Sequence, residues 1–212
     1  MYTPRAFALD DLPEIQQLIQ HTRLAQLVTF GEQGLQASHL PLLLNPDEGP
    51  HGTLYGHLAK ANPQCKDLQD GSEALVIFAC ADAYISPSFY PAKAEHGKVV
   101  PTWNYIAVHA YGKPEAFTDA ERLLAVVTAL TDRHEGNRAQ PWKVSDAPAN
   151  YIDGMLKAIV GFALPIERLV GKRKLGQNRS QADINGIREG LATSLDVRDQ
   201  TLARFMPQGV LE

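Results

Sequence analysis

The sequence predicts a mainly β fold of the α+β class: a closed antiparallel barrel with peripheral helices. Three observations predict it. Short apolar runs recur between turn signals, among them Leu24–Phe30, Leu35–Leu44, Gly52–Leu58, Glu73–Ala81 and Val99–Tyr111. Helical periodicity is confined to the two ends of the chain and to one insertion. Strands and helices do not alternate as a doubly wound parallel sheet requires, and closing the meander into a barrel removes its edges.

The elements follow in order. Asp11-Leu-Pro-Glu14 opens a helix, with Asp11 as cap, Pro13 in the first turn and Glu14 as the reciprocal partner. Ile15, Leu18 and Ile19 share one face of it, to about His21. Gly31-Glu-Gln-Gly34 joins Leu24–Phe30 and Leu35–Leu44 as a hairpin. Asn45–His51 is a loop, Gly52–Leu58 a strand, and Pro63–Asp70 a short helix stopped by Gly71. Glu73–Ala81, apolar on both faces, predicts a buried central strand, and Tyr84–Ser86 a further one. Ser86–Lys98 reads as a long loop. Val99–Tyr111 is expected to be the longest strand, with Pro114–Phe117 pairing to it across Gly112-Lys113. Thr118 begins a helix to about Glu135, 137–150 is irregular, and Tyr151–Lys157 is helical. Ala158–Leu175 is a last strand bent at Pro165, and helices follow Ser180 and Asp196.

Composition narrows the function. The chain has 212 residues, 44% of them apolar, with 20 basic and 24 acidic side chains and a net charge of −4. Such a chain buries about 70% of its unfolded surface, so it holds a core without staples. Cys65 and Cys80 are too few for a disulfide scaffold and form no CxxC pair, so they read as reduced, buried thiols. No apolar run approaches the ~18 residues of a membrane span, and the N-terminus has no secretory pattern; the expectation is a soluble, cytoplasmic protein. GxGxxG, Walker, HExxH and GxSxG motifs are absent and the seven histidines are dispersed, so no metal site is expected.

Four clusters could carry chemistry. In Ala37-Ser-His-Leu-Pro41, His39 shares a strand face with Ala37 and Pro41, opposite Ser38 and Leu40. It serves either as a structural histidine or as one facing a ligand. In Tyr55-Gly-His-Leu-Ala-Lys-Ala-Asn-Pro63, Lys60 and Asn62 precede a helix start; this is an anion site or an ordinary corner with a solvated lysine. Thr102 and Asn104 alternate with Trp103 and Tyr105, placing hydroxyl, amide and indole donors in one strand. That suits a flat heteroaromatic ligand, and equally a plain aromatic core. Gly171-Lys-Arg-Lys-Leu-Gly-Gln-Asn-Arg179 concentrates four cations; a solvated face is its default, and phosphate or nucleic acid its functional readings.

Taken together, these segments resemble the PaiB family, described as FMN-binding negative transcriptional regulators of the flavin split-barrel superfamily. The matching stretches are the N-terminal MYTPRAF, SHLP (38–41), GHLAKANP (56–63), YISPSFY (84–90), VPTWNYIAVHAYG (100–112) and IVGFALPIERLVGKRKLGQNR (159–179), in the family's order. Two departures are Phe89, where the family commonly has Trp, and Gly176, where it commonly has Ser. The resemblance implies a split-barrel FMN-binding domain over 1–175, with a helical insertion near 119–157, and a C-terminal helical segment, 176–212, packed on it. It implies a homodimer with FMN in a cleft between subunits, and strands that are apolar on both faces ask for the same cover. Lys60, Thr102 and the Lys172–Arg179 segment, with Lys174, Gln177 and Arg179, supply phosphate chemistry. His39, His57, Trp103 and Asn104 suit the isoalloxazine ring, and Ser38 and Asn62 complete the cofactor-binding set.

Two function classes follow. One is the FMN-binding regulator, for which DNA contact would rest on residues 172–179 alone, because the net field of the chain is acidic. The other is a flavin-dependent oxidoreductase acting on a small molecule, with His39, His57 or His109 as proton donor, or a haem-binding relative whose histidines ligate iron.

Overall fold

Residues 1–207 are described by a computed structural model. In chain order they form β1 (Ala8–Leu9), α1 (Leu12–His21), β2 (Ala25–Gly31), β3 (Gly34–Leu40), β4 (Leu43–Asn45), β5 (Thr53–Ala59), α2 (Gln64–Gln69) and β6 (Ala74–Ile85). Then follow α3 (Ala92–His96), β7 (Thr102–Gly112), β8 (Glu115–Phe117), α4 (Ala120–Glu135), α5 (Ala149–Leu156), β9 (Ile159–Pro165), β10 (Arg168–Lys174), α6 (Gln181–Ala192) and α7 (Val197–Ala203). They fall into two units: residues 1–11, 79–108 and the chain from 170 onward form the first, and 12–78 with 109–169 the second. The C-terminal segment expected over 176–212 is described as far as Pro207, and its last residues lie outside the described residues.

In the second unit, α1 buries Ile15, Leu18 and Ile19, as its spacing predicts. β2 and β3 pair from Ala25↔Leu40 to Gly31↔Gly34, with Gly34 in the left-handed region at φ +83°. β3 ends at Leu40 rather than continuing to Leu44. Pro41 has no N–H for the ladder, and the chain restarts as β4 in a different sheet, of order β4-β5-β9-β8. β8 pairs with β9, Glu115↔Ala163 to Phe117↔Gly161, and not back onto β7 as a hairpin. Gly161 makes room for this, because a Cβ there would lie 2.4 Å from the Phe117 ring. Asp119 caps α4 by accepting the Arg122 N–H at 2.9 Å. Leu123, Val126 and Leu130 of α4 then pack with Phe117, Leu156 and Ala163.

The N-terminal half of β6 pairs with β2 through Leu75↔Val28 to Ile77↔Gln26. Burial alternates there: Ala74, Val76 and Phe78 are buried while Leu75 and Ile77 are half-buried, so one face of this strand is left open. The expected separate strand at Tyr84–Ser86 is the far end of the same 12-residue element, which makes β6 longer than the 11-residue β7.

In the first unit the strand order is β1-β10-β7-β6. The expected bent strand over Ala158–Leu175 is two strands, β9 and β10, in different sheets. The expected loop after Ser86 is ordered locally: the Ser86 hydroxyl accepts the Ser88 N–H at 3.1 Å over a 3₁₀ turn at Pro87–Phe89, and α3 follows. Ser180 caps α6 by accepting the Asp183 N–H at 3.2 Å. Gly186 and Gly190 of α6 form a notch for the Phe89 segment. A Cβ at Gly186 would lie 2.1 Å from the Phe89 carbonyl oxygen, and one at Gly190 would lie 2.3 Å from its ring.

Candidate functional site

Strand alternation puts Lys172 and Lys174 on one side of β10, and the sheet of the first unit sets them beside β7. The Lys174 ammonium donates to the Thr102 hydroxyl at 2.7 Å and to the Trp103 carbonyl at 2.6 Å. An ammonium has three donors, so one stays available. Lys172 is 7% exposed. It donates to the Tyr105 hydroxyl at 2.6 Å and the Tyr2 carbonyl at 3.1 Å, and lies 4.8 Å from the centre of the Tyr105 ring. Gly176, at φ +82°, turns the chain after β10; at this position the glycine relieves backbone strain. Arg179 follows, with its guanidinium 5.2 Å over the Tyr90 ring.

The electrostatics of this group are one-sided. Among the described residues no carboxylate forms an ion pair with Lys172, Lys174 or Arg179. Burial holds Lys174 below the ordinary lysine range, and the charges of Lys172 and Arg179 push the same way against Tyr105. Asn104, on β7, is 2% exposed, and its Nδ2 has no hydrogen-bond partner. Its neighbour Trp103 is 54% exposed and stands edge-on to Tyr84 at 6.0 Å. Three cations, a hydroxyl and an exposed indole make a surface for an anion carrying a planar body, while the Asn104 amide projects from the buried face of β7, opposite Trp103.

The structure thus gathers Thr102, Trp103 and Lys174, with Arg179 coupled to Lys174 through its charge. Gln177 is committed elsewhere: its side chain accepts the Leu175 N–H at 2.8 Å and donates to the Arg173 carbonyl at 2.6 Å, which fixes the turn. The expected solvated face at 172–179 is not one, because Lys172 is buried and Arg173, Lys174 and Arg179 are half-buried. Sequence reasoning missed the Tyr105 hydroxyl as partner of Lys172. The available signal was the Lys-x-Lys alternation of β10 beside a strand rich in tyrosine.

The other expected residues lie in the second unit. Asn62 donates to the Ser38 hydroxyl at 3.0 Å and accepts the Gln64 N–H at 3.0 Å, tying β3 to the start of α2. His39 is exposed on β3, opposite Gln26. Lys60 is exposed; its backbone N–H donates to the Ala158 carbonyl at 2.8 Å, and among the described residues no side chain pairs with its ammonium. His57, on β5, lines a cavity against α4, and its Nδ1 is buried without a partner. Burial lowers the pKa of both His57 and His109, so both are neutral near pH 7 and are acceptors rather than donors of protons. Among the described residues no three His, Cys, Asp or Glu side chains gather to hold a metal ion, and no helix is long and apolar enough to cross a membrane.

Several known proteins are similar to this chain. The chain is 36% identical to an uncharacterised protein of Aspergillus fumigatus over 90% of each chain. It is 32% identical to the protease synthase and sporulation protein PAI 2 of Bacillus subtilis, over 97% of this chain and 96% of that one. Among solved structures, the flavocytochrome Anf3 of Azotobacter vinelandii superposes with a TM-score of 0.60 at 16% identity, covering 82% of this chain and 73% of that one. That likeness is one of fold, mixed α+β with antiparallel sheets, as the split-barrel expectation requires. A family model matches residues 1–168, and on this match and the relative in B. subtilis the chain belongs to the family described as "Putative FMN-binding domain", which includes the PaiB type.

Proposed function

We propose that this protein binds FMN itself, with the phosphate held by Lys174, Thr102 and Arg179 and the ring set against Trp103. The observation that carries the reading is the absence, among the described residues, of an anionic partner for these cations. A phosphate brings a charge of roughly −2 and strong acceptor oxygens. Lys174 has a free donor, Arg179 has a full fork of them, and nearby hydroxyls add uncharged ones. The flavin would supply electron-transfer chemistry; this chain would anchor its phosphate and shield one ring face with an indole.

The spectrum of the purified protein and an FMN titration test this. The expected results are a flavin band or uptake of added FMN, with Arg179→Ala weakening binding roughly 10- to 150-fold, since a charge-assisted hydrogen bond contributes about 1.5–3 kcal/mol. A Soret band would move the protein to the haem-binding reading. A colourless protein that refuses FMN would end the proposal.

The reading includes a homodimer. Cross-strand registers place Val28, Phe30, Leu35, Ala37, Leu75 and Ile77 on one face of β6-β2-β3. Phe30 and Leu35, directly opposite each other, are 67% and 76% exposed. An apolar sheet face of this kind is supportive of cover by a second copy. A stable 23.3 kDa monomer in sedimentation at micromolar concentration would contradict it.

The regulatory role that the resemblance implies would then be exerted without residues 172–179 on DNA, because these cations are drawn into the first unit. A gel shift at low salt, with and without FMN, is expected to show no binding that depends on Lys174 or Arg179.

A further inference from the structure

We infer that the cavity beside His57 binds a small neutral aromatic molecule carrying a hydroxyl or carboxamide group. The inference goes beyond the flavin reading and stands without it, because every residue it uses belongs to the second unit and none to the phosphate cluster. The cavity has a volume of about 450 Å³, within the usual range for small-molecule sites of roughly 300–1,000 Å³. Its walls are Pro41, where β3 breaks off, Val127 and Leu130 of α4, and Trp142. These are apolar and partly aromatic, the surfaces that a ring covers.

The polar groups around it are nearly all spent. The Thr131 hydroxyl donates to the Val127 carbonyl at 2.7 Å. Glu135 accepts the Trp142 backbone N–H at 3.2 Å and pairs with Arg138 at 2.9 Å, which latches the aromatic wall to the end of α4. His134, exposed at the rim, and His57 are the exceptions among the described residues, and His57 is the one on the strand wall. Its Nδ1 is closed to solvent and so out of a ligand's reach; among the described residues no hydrogen bond engages the other ring nitrogen, the one left to meet a ligand. That nitrogen is a donor or an acceptor according to the tautomer, and a phenol or carboxamide matches either.

Charge selects against anions. A carboxylate, Glu135, lines the cavity, and no lysine or arginine does. Glu135 is itself paired with Arg138, so among the described residues no unpaired lysine or arginine lines the cavity to receive a phosphate or carboxylate, in contrast to the cation cluster of the first unit. The expected ligand is neutral at physiological pH.

Calorimetric titration of the purified protein with phenol, 4-hydroxybenzamide and benzoate tests the inference. Phenol and 4-hydroxybenzamide are expected to bind saturably, one per chain, and benzoate to give no saturable signal. Loss of the imidazole in His57→Phe is expected to weaken binding roughly tenfold, as for one hydrogen bond. Trp142 is 46% exposed, so Trp142→Ala keeps the fold, and it is expected to weaken the same probes to a similar degree. No saturable signal from the folded parent would overturn the inference, as would benzoate binding as tightly as phenol, or equal affinities in parent and Trp142→Ala. FMN titrated into Trp142→Ala separates this inference from the flavin reading. Unchanged FMN affinity with weakened phenol binding supports it, and weakened FMN binding with phenol binding retained would assign the cavity to the flavin and overturn it. Phenol binding in a protein that refuses FMN would leave the inference standing and remove the flavin reading alone.

Discussion

Two polar clusters, one in each unit, are built from similar residue types and do opposite things. In the second unit, Thr29, Gln64 and Asp67 are all buried. The Gln64 amide donates to the Leu27 carbonyl and the Thr29 hydroxyl at 3.1 Å each, and Thr29 donates to the Asp67 carboxylate at 2.6 Å. The charge at the end of this chain receives a donor from the protein itself. In the first unit, Lys172 and Lys174 end on hydroxyls and carbonyls, with no carboxylate among the described residues. A closed cluster welds α2 to β2. An uncompensated one has a place for an anion. The difference lies in counterions rather than in burial.

The largest effect should come from breaking the closed cluster. Thr29→Val keeps the shape of the side chain but strands Asp67 without its donor. The expected cost is about 2–3 kcal/mol of stability in denaturant unfolding, the range for a hydrogen bond to a buried charged group. FMN affinity should not move. If Thr29→Val proved neutral in stability, the second cluster would not be the structural one.

A smaller effect bears on the scaffold of the open cluster. Gly190→Ala would place a methyl 2.3 Å from the Phe89 ring, so the ring must shift. The expected cost is about 1–3 kcal/mol, as for overpacking. Gly154→Ala, where a Cβ meets nothing within 4 Å, is the helix control and should cost nothing or add stability. Equal unfolding midpoints for the two variants would remove the notch from the account of Phe89.

That contact also shows why part of the molecule was legible from the sequence and part was not. α1, α4 and α6 could be read because their signals are local: Asp119 and Ser180 cap within their own first turns. β3 and β10 were misjudged at Pro41 and Pro165, because a proline marks a break without saying that the chain will change sheets. β8 was paired with its neighbour in sequence, and its true partner β9 begins more than 40 residues later. The site divides in the same way. Lys174, Thr102 and Arg179 were readable as candidates, and the structure sets Lys174 on the Thr102 hydroxyl. The burial of Lys172 was not, because it depends on Tyr2 and Tyr105, far away in the chain. The cavity at His57 was not readable either, since its other wall is the distant helix α4.

The smallest expected effect is a slope. Burial lowers the folded-state pKa of His57 below the ordinary value of about 6.5. Between that value and the lower folded one, the unfolded chain binds more protons, so stability rises with pH through this window and levels off above it. His57→Phe should flatten the rise by up to about one proton's worth of slope, measured as unfolding free energy against pH below about 6.5. An unchanged slope would mean that His57 is not the group that sets it. His109 contributes in the same direction and remains in the variant.

The central claim is that the uncompensated cations of the first unit hold a phosphate. Titrating FMN and riboflavin, which lacks the phosphate, into the parent and Lys174→Ala tests it most directly. The account predicts that the parent prefers FMN by roughly 10-fold or more, and that Lys174→Ala loses most of this preference while keeping its affinity for riboflavin. The same FMN preference in both proteins, or no preference in the parent, would contradict it.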